Sequence, residues 1–230
     1  MKKLVIVSTS HVARESVERV KKAIEEEKPD VVAVELDVRR LQGLFAKQTR
    51  LPFSVIRLVG IRGYIFLAVG RFVQQRIGKW VGVVPGSEMK AAVIAARKSG
   101  AKIALIDQDI GITVRRLTAA LSWREKWTFI KSIFLGLVGK GNAIELGKLD
   151  LSKVPPAKLI KEVMKYLKKD YPNIYRVLVE ERNEVMARNL VSIMKTDVKK
   201  IVAVVGAGHE EGLVQKVKEL SEGFKKPKKE

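Results

Sequence analysis

Four short apolar runs, at residues 3–8, 31–36, 102–106 and 200–205, constrain this chain more than any other feature. Each is rich in Val, Ile, Leu and Ala, and each gives way to small or polar residues and then to a helical pattern. That is the signature of a buried strand handing over to a helix. The first unit shows it clearly: Leu4-Val5-Ile6-Val7 is followed by a helix from about Val12 to Glu27, with apolar Val12, Val17, Val20 and Ile24 near helical spacing. Pro29-Asp30 stops that helix and Val31-Val32-Ala33-Val34 begins the next strand. Strand–helix–strand order of this kind favours parallel strands joined by a right-handed crossover. The expected fold is α/β: a small, mostly parallel sheet flanked by helices, with a large helical insertion.

Within one α/β domain over residues 1–230, two regions are set apart. Residues 38–100 form a basic helical segment, and residues 111–198 read as the helical insertion, broken near Gly136 to Gly147 and at Pro155-Pro156 and Pro172. Residues 38–48 look helical, and a helix opening at Pro85-Gly86-Ser87-Glu88 runs to Gly100, a natural C-terminal cap. Residues 39–102 hold thirteen Lys or Arg against one acid, Glu88, so this stretch carries +12 of the chain's +20. Such a field attracts nucleic acid, anionic lipid or an acidic partner. Between Arg50 and Lys79 the basic residues fall within about half of a helix circumference. Such a segment either lies on an anionic membrane surface or packs as a hairpin with its arginines solvated; the hairpin is the expectation. Specific nucleic-acid recognition is disfavoured, because aromatic residues make up only 6% of the chain and no recognition motif is present.

There is no cysteine, which excludes disulfides and thiolate metal sites. The N-terminal apolar run is too short for a leader, and no uncharged stretch is long enough to span a bilayer. A cytoplasmic protein, peripheral to membranes at most, is expected. Abundant Lys and Glu with no Cys suits a thermophile.

The chemistry concentrates where strands end. The two histidines of the chain occupy matching places: Ser8-Thr9-Ser10-His11 follows the first run and Gly206-Ala207-Gly208-His209 follows the last. The second run ends in Glu35-Leu36-Asp37 and the third in Asp107-Gln108-Asp109. In a parallel sheet these residues share one rim, the edge where such folds bind ligands. Two neutral imidazoles with one or two carboxylates are a plausible shell for a divalent ion, and without thiolates the candidates are manganese, cobalt, iron or zinc. Simpler roles compete. Asp37 and Asp109 could each cap the following helix, and Asp107 could pair with Arg115 or Arg116. Glu184 and Arg188, four apart, are expected to form a surface pair. Gly206-Ala207-Gly208 followed by Gly212 misses the dinucleotide fingerprint, whose third glycine would come one place earlier and which needs a further strand bearing an acid.

Taken together and in order, several motifs resemble the TraB/PrgY pheromone-shutdown family. They are Ser8-Thr9-Ser10-His11, Val34-Glu35-Leu36-Asp37 with Arg39, Pro85-Gly86-Ser87-Glu88-Met89, Ile106-Asp107-Gln108-Asp109-Ile110 with Thr113 and Arg116, Glu181-Arg182-Asn183, and Gly206-Ala207-Gly208-His209. The likeness covers residues 4 to about 215. It implies a distant relation to the Tiki proteases, which are metal-dependent and share two Gly-x-x-His motifs. By that likeness His11 and His209 match the motif histidines, Glu35 the strand-end glutamate, and Arg116, Glu181, Arg182 and Asn183 the remaining polar positions. Two departures stand out: Ser8 replaces the first glycine of the first motif, and Gln108 stands where the family usually has arginine.

The expectation is therefore a metal-dependent hydrolase acting on peptides. Manganese, cobalt or zinc would be held by His11 and His209 with Glu35, Asp37 or Glu181. Glu35 or Glu181 would take the proton, and Arg116 or Arg182 would stabilise the oxyanion. The alternative is a protein that sequesters a peptide or anionic ligand without turnover, docking through the basic segment to an anionic membrane. Assembly into a homo-oligomer is compatible with either.

Overall fold

The structure is a computed structural model that describes residues 2–9, 14–46, 53–61, 63–65, 67–68, 86–125, 127–128 and 157–223. Its centre is a four-stranded sheet built from β1 (Lys3–Thr9), β2 (Val31–Val34), β3 (Lys102–Leu105) and β4 (Lys200–Gly206). The strands lie in the order β1-β4-β2-β3, and every neighbouring pair is parallel. Parallel strands covered on both faces read as near-continuous apolar runs. The last strand obeys this most fully: from Ile201 to Gly206 every residue is buried.

The side-chain period of two sorts the core into two layers. On one face Val32, Val34, Val202 and Val204 pack with Val20 and Ile24 of α1 (Arg14–Glu27) and with Met89, Val93 and Ala96 of α3 (Ser87–Lys98). Between them in the chain comes α2 (Val38–Phe45), which follows β2 directly. The other face presents Val31, Ala33, Ile201, Ala203 and Val205 to Met186, Leu190, Leu213 and Val217. These last four belong to α7 (Glu181–Met194) and α8 (Glu210–Gly223). At about 25 cal/mol per Å² of apolar surface buried, each fully enclosed side chain of this kind stabilises by roughly 1.5–3 kcal/mol.

Edges are defined by local chemistry. Gly100 takes φ +73 just beyond α3, where a left-handed residue ends the helix at little cost to glycine. The basic segment is described in part: residues 55–61 and 63–65 are helical and lie against α4 (Ile110–Ala120). Their approach is close, since a Cβ on Gly63 would come within 2.8 Å of Val114. Arg50, Arg62, Arg71, Phe72, Arg76, Lys79 and Trp80 fall outside the described residues. Of the insertion, α4, α5 (Ala157–Asp170), α6 (Pro172–Tyr175) and α7 are described, and all are helical as the pattern predicts. Among the described residues no helix is long and apolar enough to cross a membrane.

Topology places the site. The chain leaves β1 and β2 toward the α1/α3 face but leaves β4 toward the α7/α8 face. Where successive connections diverge to opposite faces, a crevice opens at the carboxyl ends of the strands. Here that crevice lies beside β4, and the register sets Thr9 opposite Gly206 at its mouth.

Candidate functional site

Glu35 is the first residue past β2, and it continues the alternation that turns Val31 and Ala33 toward α7. A carboxylate carried into that layer is almost entirely buried, at 4% exposure, so it must find partners. Its Oε2 accepts a 2.6 Å hydrogen bond from the Gly206 backbone N–H, and its Oε1 accepts from the Arg182 guanidinium. The same Oε1 lies 3.5 Å from Nε2 of His209. His209 is also buried, and its Nδ1 lies 2.8 Å from Oδ1 of buried Asn183. An amide oxygen can only accept, so Nδ1 is the donor in that bond and Nε2 is the ring nitrogen that faces Glu35.

Glycine is required where these elements cross. A Cβ on Gly212, in the first turn of α8, would sit 2.4 Å from the Asn183 amide nitrogen. Asn183 can therefore lie flat against α8 and reach His209. The helix bearing Asn183 is itself irregular. A π-helical turn, Arg176–Glu180, joins α6 to α7, and such turns are frequent at functional sites. It leaves the Leu178 carbonyl to accept from Arg182 Nη1 at 3.2 Å. It also precedes the point where Glu181, Arg182 and Asn183 diverge to three different partners.

Arg182 is the hub. Besides Glu35 it grips both oxygens of Asp107, with Nε donating to Oδ1 at 3.0 Å. Asp107 is held from the other side by Arg40, which also donates through Nε to Asp37 Oδ2 at 2.6 Å. Burial pushes the Asp107 carboxyl up, but the Arg182 and Arg40 guanidiniums outweigh it and hold the group below the usual carboxylate range. Burial by itself would loosen the proton on Arg182, yet Asp107 and Glu35 raise its pKa above the ordinary arginine value. Among the described residues the guanidiniums that pair with Glu35, Asp37 and Asp107 are Arg40 and Arg182.

The other expected site residues are placed as follows. Asp37 caps α2, accepting from the Arg39 and Arg40 N–H groups, while its second oxygen takes the Arg40 side chain and the Ile110 N–H. It braces the rim and does not meet His209. Asp109 caps α4 and pairs with Arg39 at 3.2 Å. Arg116 and Glu181 form a two-pronged ion pair at 2.6 and 2.8 Å on the outer side of α7, which pulls the Glu181 carboxyl below its ordinary pKa. That pair is separate from Glu35 and His209. Arg188 pairs with Glu184 at 2.9 Å as the spacing predicts. His11 falls outside the described residues, so the expected meeting of the two histidines is left to the placement of β1 beside β4.

The departures are accommodated. Ser8 is an ordinary strand residue registered with Val205, and no glycine is needed there. Gln108 donates through its side chain to Thr113 Oγ1 at 3.0 Å, while Arg40 and Arg182 supply the positive charge that Asp107 needs. Two partners escaped sequence reasoning. Asp107 pairs with neither Arg115 nor Arg116 but with Arg40 and Arg182, and the clue was the Arg39-Arg40 pair in the first turn after the Asp37 cap.

The molecule is thus an α/β protein whose parallel sheet carries a buried Glu–His pair at its carboxyl rim, tied to a helix through Arg182 and Asn183. The chain belongs to the TraB/PrgY/gumN family, whose model matches residues 2–222. It is 36% identical over 225 residues to an uncharacterized protein of Methanocaldococcus jannaschii, covering 95% of this chain and 54% of that protein. It is 29% identical over 234 residues to a TraB domain-containing protein of Bos taurus, covering 90% of this chain and 60% of the relative. The corresponding human protein is 27% identical over 234 residues, covering 90% of this chain and 61% of the relative. The chain therefore spans a little over half the length of these relatives.

Proposed function

We propose that the chain is a metal-dependent hydrolase whose rim site acts on the carbonyl of a peptide. The observation that carries this reading is the 3.5 Å separation between His209 Nε2 and Glu35 Oε1, with Nδ1 fixed by Asn183. Two ligands of one tetrahedral divalent ion, each about 2.0–2.1 Å from it, stand about 3.4 Å apart. An imidazole whose far nitrogen is hydrogen-bonded to an oxygen is the usual form of a metal-bound histidine.

The fit is partial. Among the described residues no group of three His, Cys, Asp or Glu converges, so a third protein donor would come from the neighbouring end of β1, where His11 follows. His209, Glu35 and His11 would hold manganese, cobalt or zinc. When bound, such an ion polarises a carbonyl and lowers the pKa of water.

The chain's own groups have definable work. With His209 Nε2 given to the ion, the proton from water would go to Glu35 where that carboxylate is not itself a ligand. Asn183 keeps the ring in the tautomer that leaves Nε2 open. Arg182, committed to two carboxylates, positions Glu35 rather than meeting substrate. Peptide as the substrate class comes from the likeness to the TraB and Tiki proteins.

One observation favours the sequestering alternative: both oxygens of Glu35 are already satisfied, as in a structural brace. Thermal melting with and without metal separates the readings. A ligand at a hundredfold its Kd adds about 2.7 kcal/mol to the native state. Melting should rise with manganese, cobalt or zinc in wild type and stay unchanged in a His209→Ala variant. Equal curves with chelator and with each metal would favour the metal-free binder.

A further inference from the structure

Helix α5 stands outside the core. Ile160, Val163, Met164 and Leu167 make one apolar stripe at helical spacing, yet each is only partly buried. Among the described residues, neither core layer takes a side chain from this helix. It lies across the rim instead. Lys161 donates to Glu211, in the first turn of α8, at 3.3 Å. Seven residues on, about 10 Å along the axis, Lys168 pairs with Glu180, the last residue of the π-helical turn, at 3.3 Å. Between these two points Met164 rests on Gly208, where a Cβ would lie 3.0 Å from its Cε and 3.6 Å from its Sδ. The helix therefore straddles the site, from the start of α8 beside His209 to the turn that leads into Arg182.

Its attachments there are slight. Both ion pairs are exposed to solvent, where such pairs are weak tethers. Ala207 and Gly208 are partly exposed and offer only a methyl group and a hydrogen to the stripe. An apolar stripe so thinly covered, set over the loop that ends in a buried histidine, has the character of a binding-site wall. A second copy of this chain is a poor occupant, because two chains of net charge +20 repel.

We propose that α5 is a wall of the rim site and that Met164 is a specificity-determining residue, packing on a large apolar side chain of the bound peptide. The inference rests on the reading of the rim as a peptide site, whether it cleaves or sequesters. A flexible thioether adapts to branched and aromatic side chains alike. A charged side chain in the same place would lose its water against the stripe and gain no partner from Met164, Ala207 or Gly208.

The test labels the methionine methyl groups of the full chain with carbon-13 and follows them by NMR. The Met164 signal is assigned with Met164→Leu, and Met194, on the far end of α7, serves as the internal control. The probes are three short glycine–serine peptides that differ only in a central leucine, phenylalanine or aspartate, each titrated with chelator and again with zinc. The leucine and phenylalanine peptides should shift Met164 and leave Met194 in place, and the aspartate peptide should bind on the order of tenfold more weakly. Met164→Ala should erase that preference and Met164→Leu should keep it, with melting unchanged in both. If Met164→Ala fails to fold, the wild-type titration decides alone. Cleavage of the same peptides is measured in parallel. A peptide that shifts Met164 and is never cleaved would end the hydrolase reading and leave the wall standing. Cleavage or binding that leaves the Met164 signal unmoved overturns the proposal, as does a preference that survives Met164→Ala, or no binding of any peptide under either condition.

Discussion

Arg182→Met is the most informative perturbation of the rim, because one guanidinium there serves two buried carboxylates. The variant keeps the bulk and apolar stem of the side chain but deletes its bonds to Glu35, to both oxygens of Asp107 and to the Leu178 carbonyl. Asp107 retains Arg40 and the Gln108 N–H, and Glu35 retains the Gly206 N–H. Among the described residues, Arg40 would then be the guanidinium left to pair with Asp37 and Asp107. Breaking a buried ion pair by removing one partner costs about 3–5 kcal/mol. With a urea slope near 2 kcal/mol per molar, the unfolding midpoint at pH 7 should fall by about 1.5–2.5 M.

The pH dependence gives a second handle. In wild type the folded Asp107 pKa is depressed, so its pairing stabilises the fold above the ordinary value of 3.8 and is lost as pH falls below it. In the variant the surplus negative charge makes proton uptake by the cluster favourable, so the deficit against wild type should shrink between pH 7 and pH 5. Urea titrations of both proteins at the two pH values measure it. A deficit under about 1 kcal/mol, or one that does not change with pH, would refute the charge accounting offered for the rim.

Two further outcomes follow from single contacts. Burial pushes the Glu125 carboxyl up, but bonds from the backbone and side chains of Ser122 and Asn173 outweigh it and bring its pKa down to about 2. Its contribution is complete above the ordinary value of 4.5 and is lost as pH falls toward 2. Glu125→Gln should cost about 2–3 kcal/mol at pH 7 and flatten the acid limb of the stability curve, as read by melting at a series of pH values. Gly212→Ala should displace Asn183 and release the His209 ring, shifting the Nδ1 resonance in nitrogen NMR; an unchanged spectrum would mean Asn183 does not orient the ring.

Much of the architecture could be read before the fold was known, because parallel buried strands write themselves as apolar runs. The run at 200–205 corresponds to Lys200–Gly206 and the run at 3–8 to Lys3–Thr9. Strand order could not be read. Nothing in the period of two says that β4 inserts between β1 and β2, although its fully buried pattern marks it as central. The caps at Asp37 and Asp109 were legible because capping is local. The partners of Asp107 were not, since Arg40 and Arg182 lie 67 and 75 residues away in sequence and only the register of the sheet brings them in. The same holds for the division of Glu181, Arg182 and Asn183 among three partners. That division follows from the direction each side chain takes off α7, which no motif encodes.

The central claim is that Glu35 and His209 form a working pair. Glu35→Gln tests it with least disturbance, since the amide keeps the size of the side chain and can still accept the Gly206 N–H. Metal affinity and peptide cleavage should be measured together on this one variant. The account predicts that cleavage collapses. Metal affinity should fall with it if Glu35 is a ligand, and persist if Glu35 serves only as the general base. A variant that matches wild type in both measurements would show Glu35 to be a structural brace, and the hydrolase reading would end there.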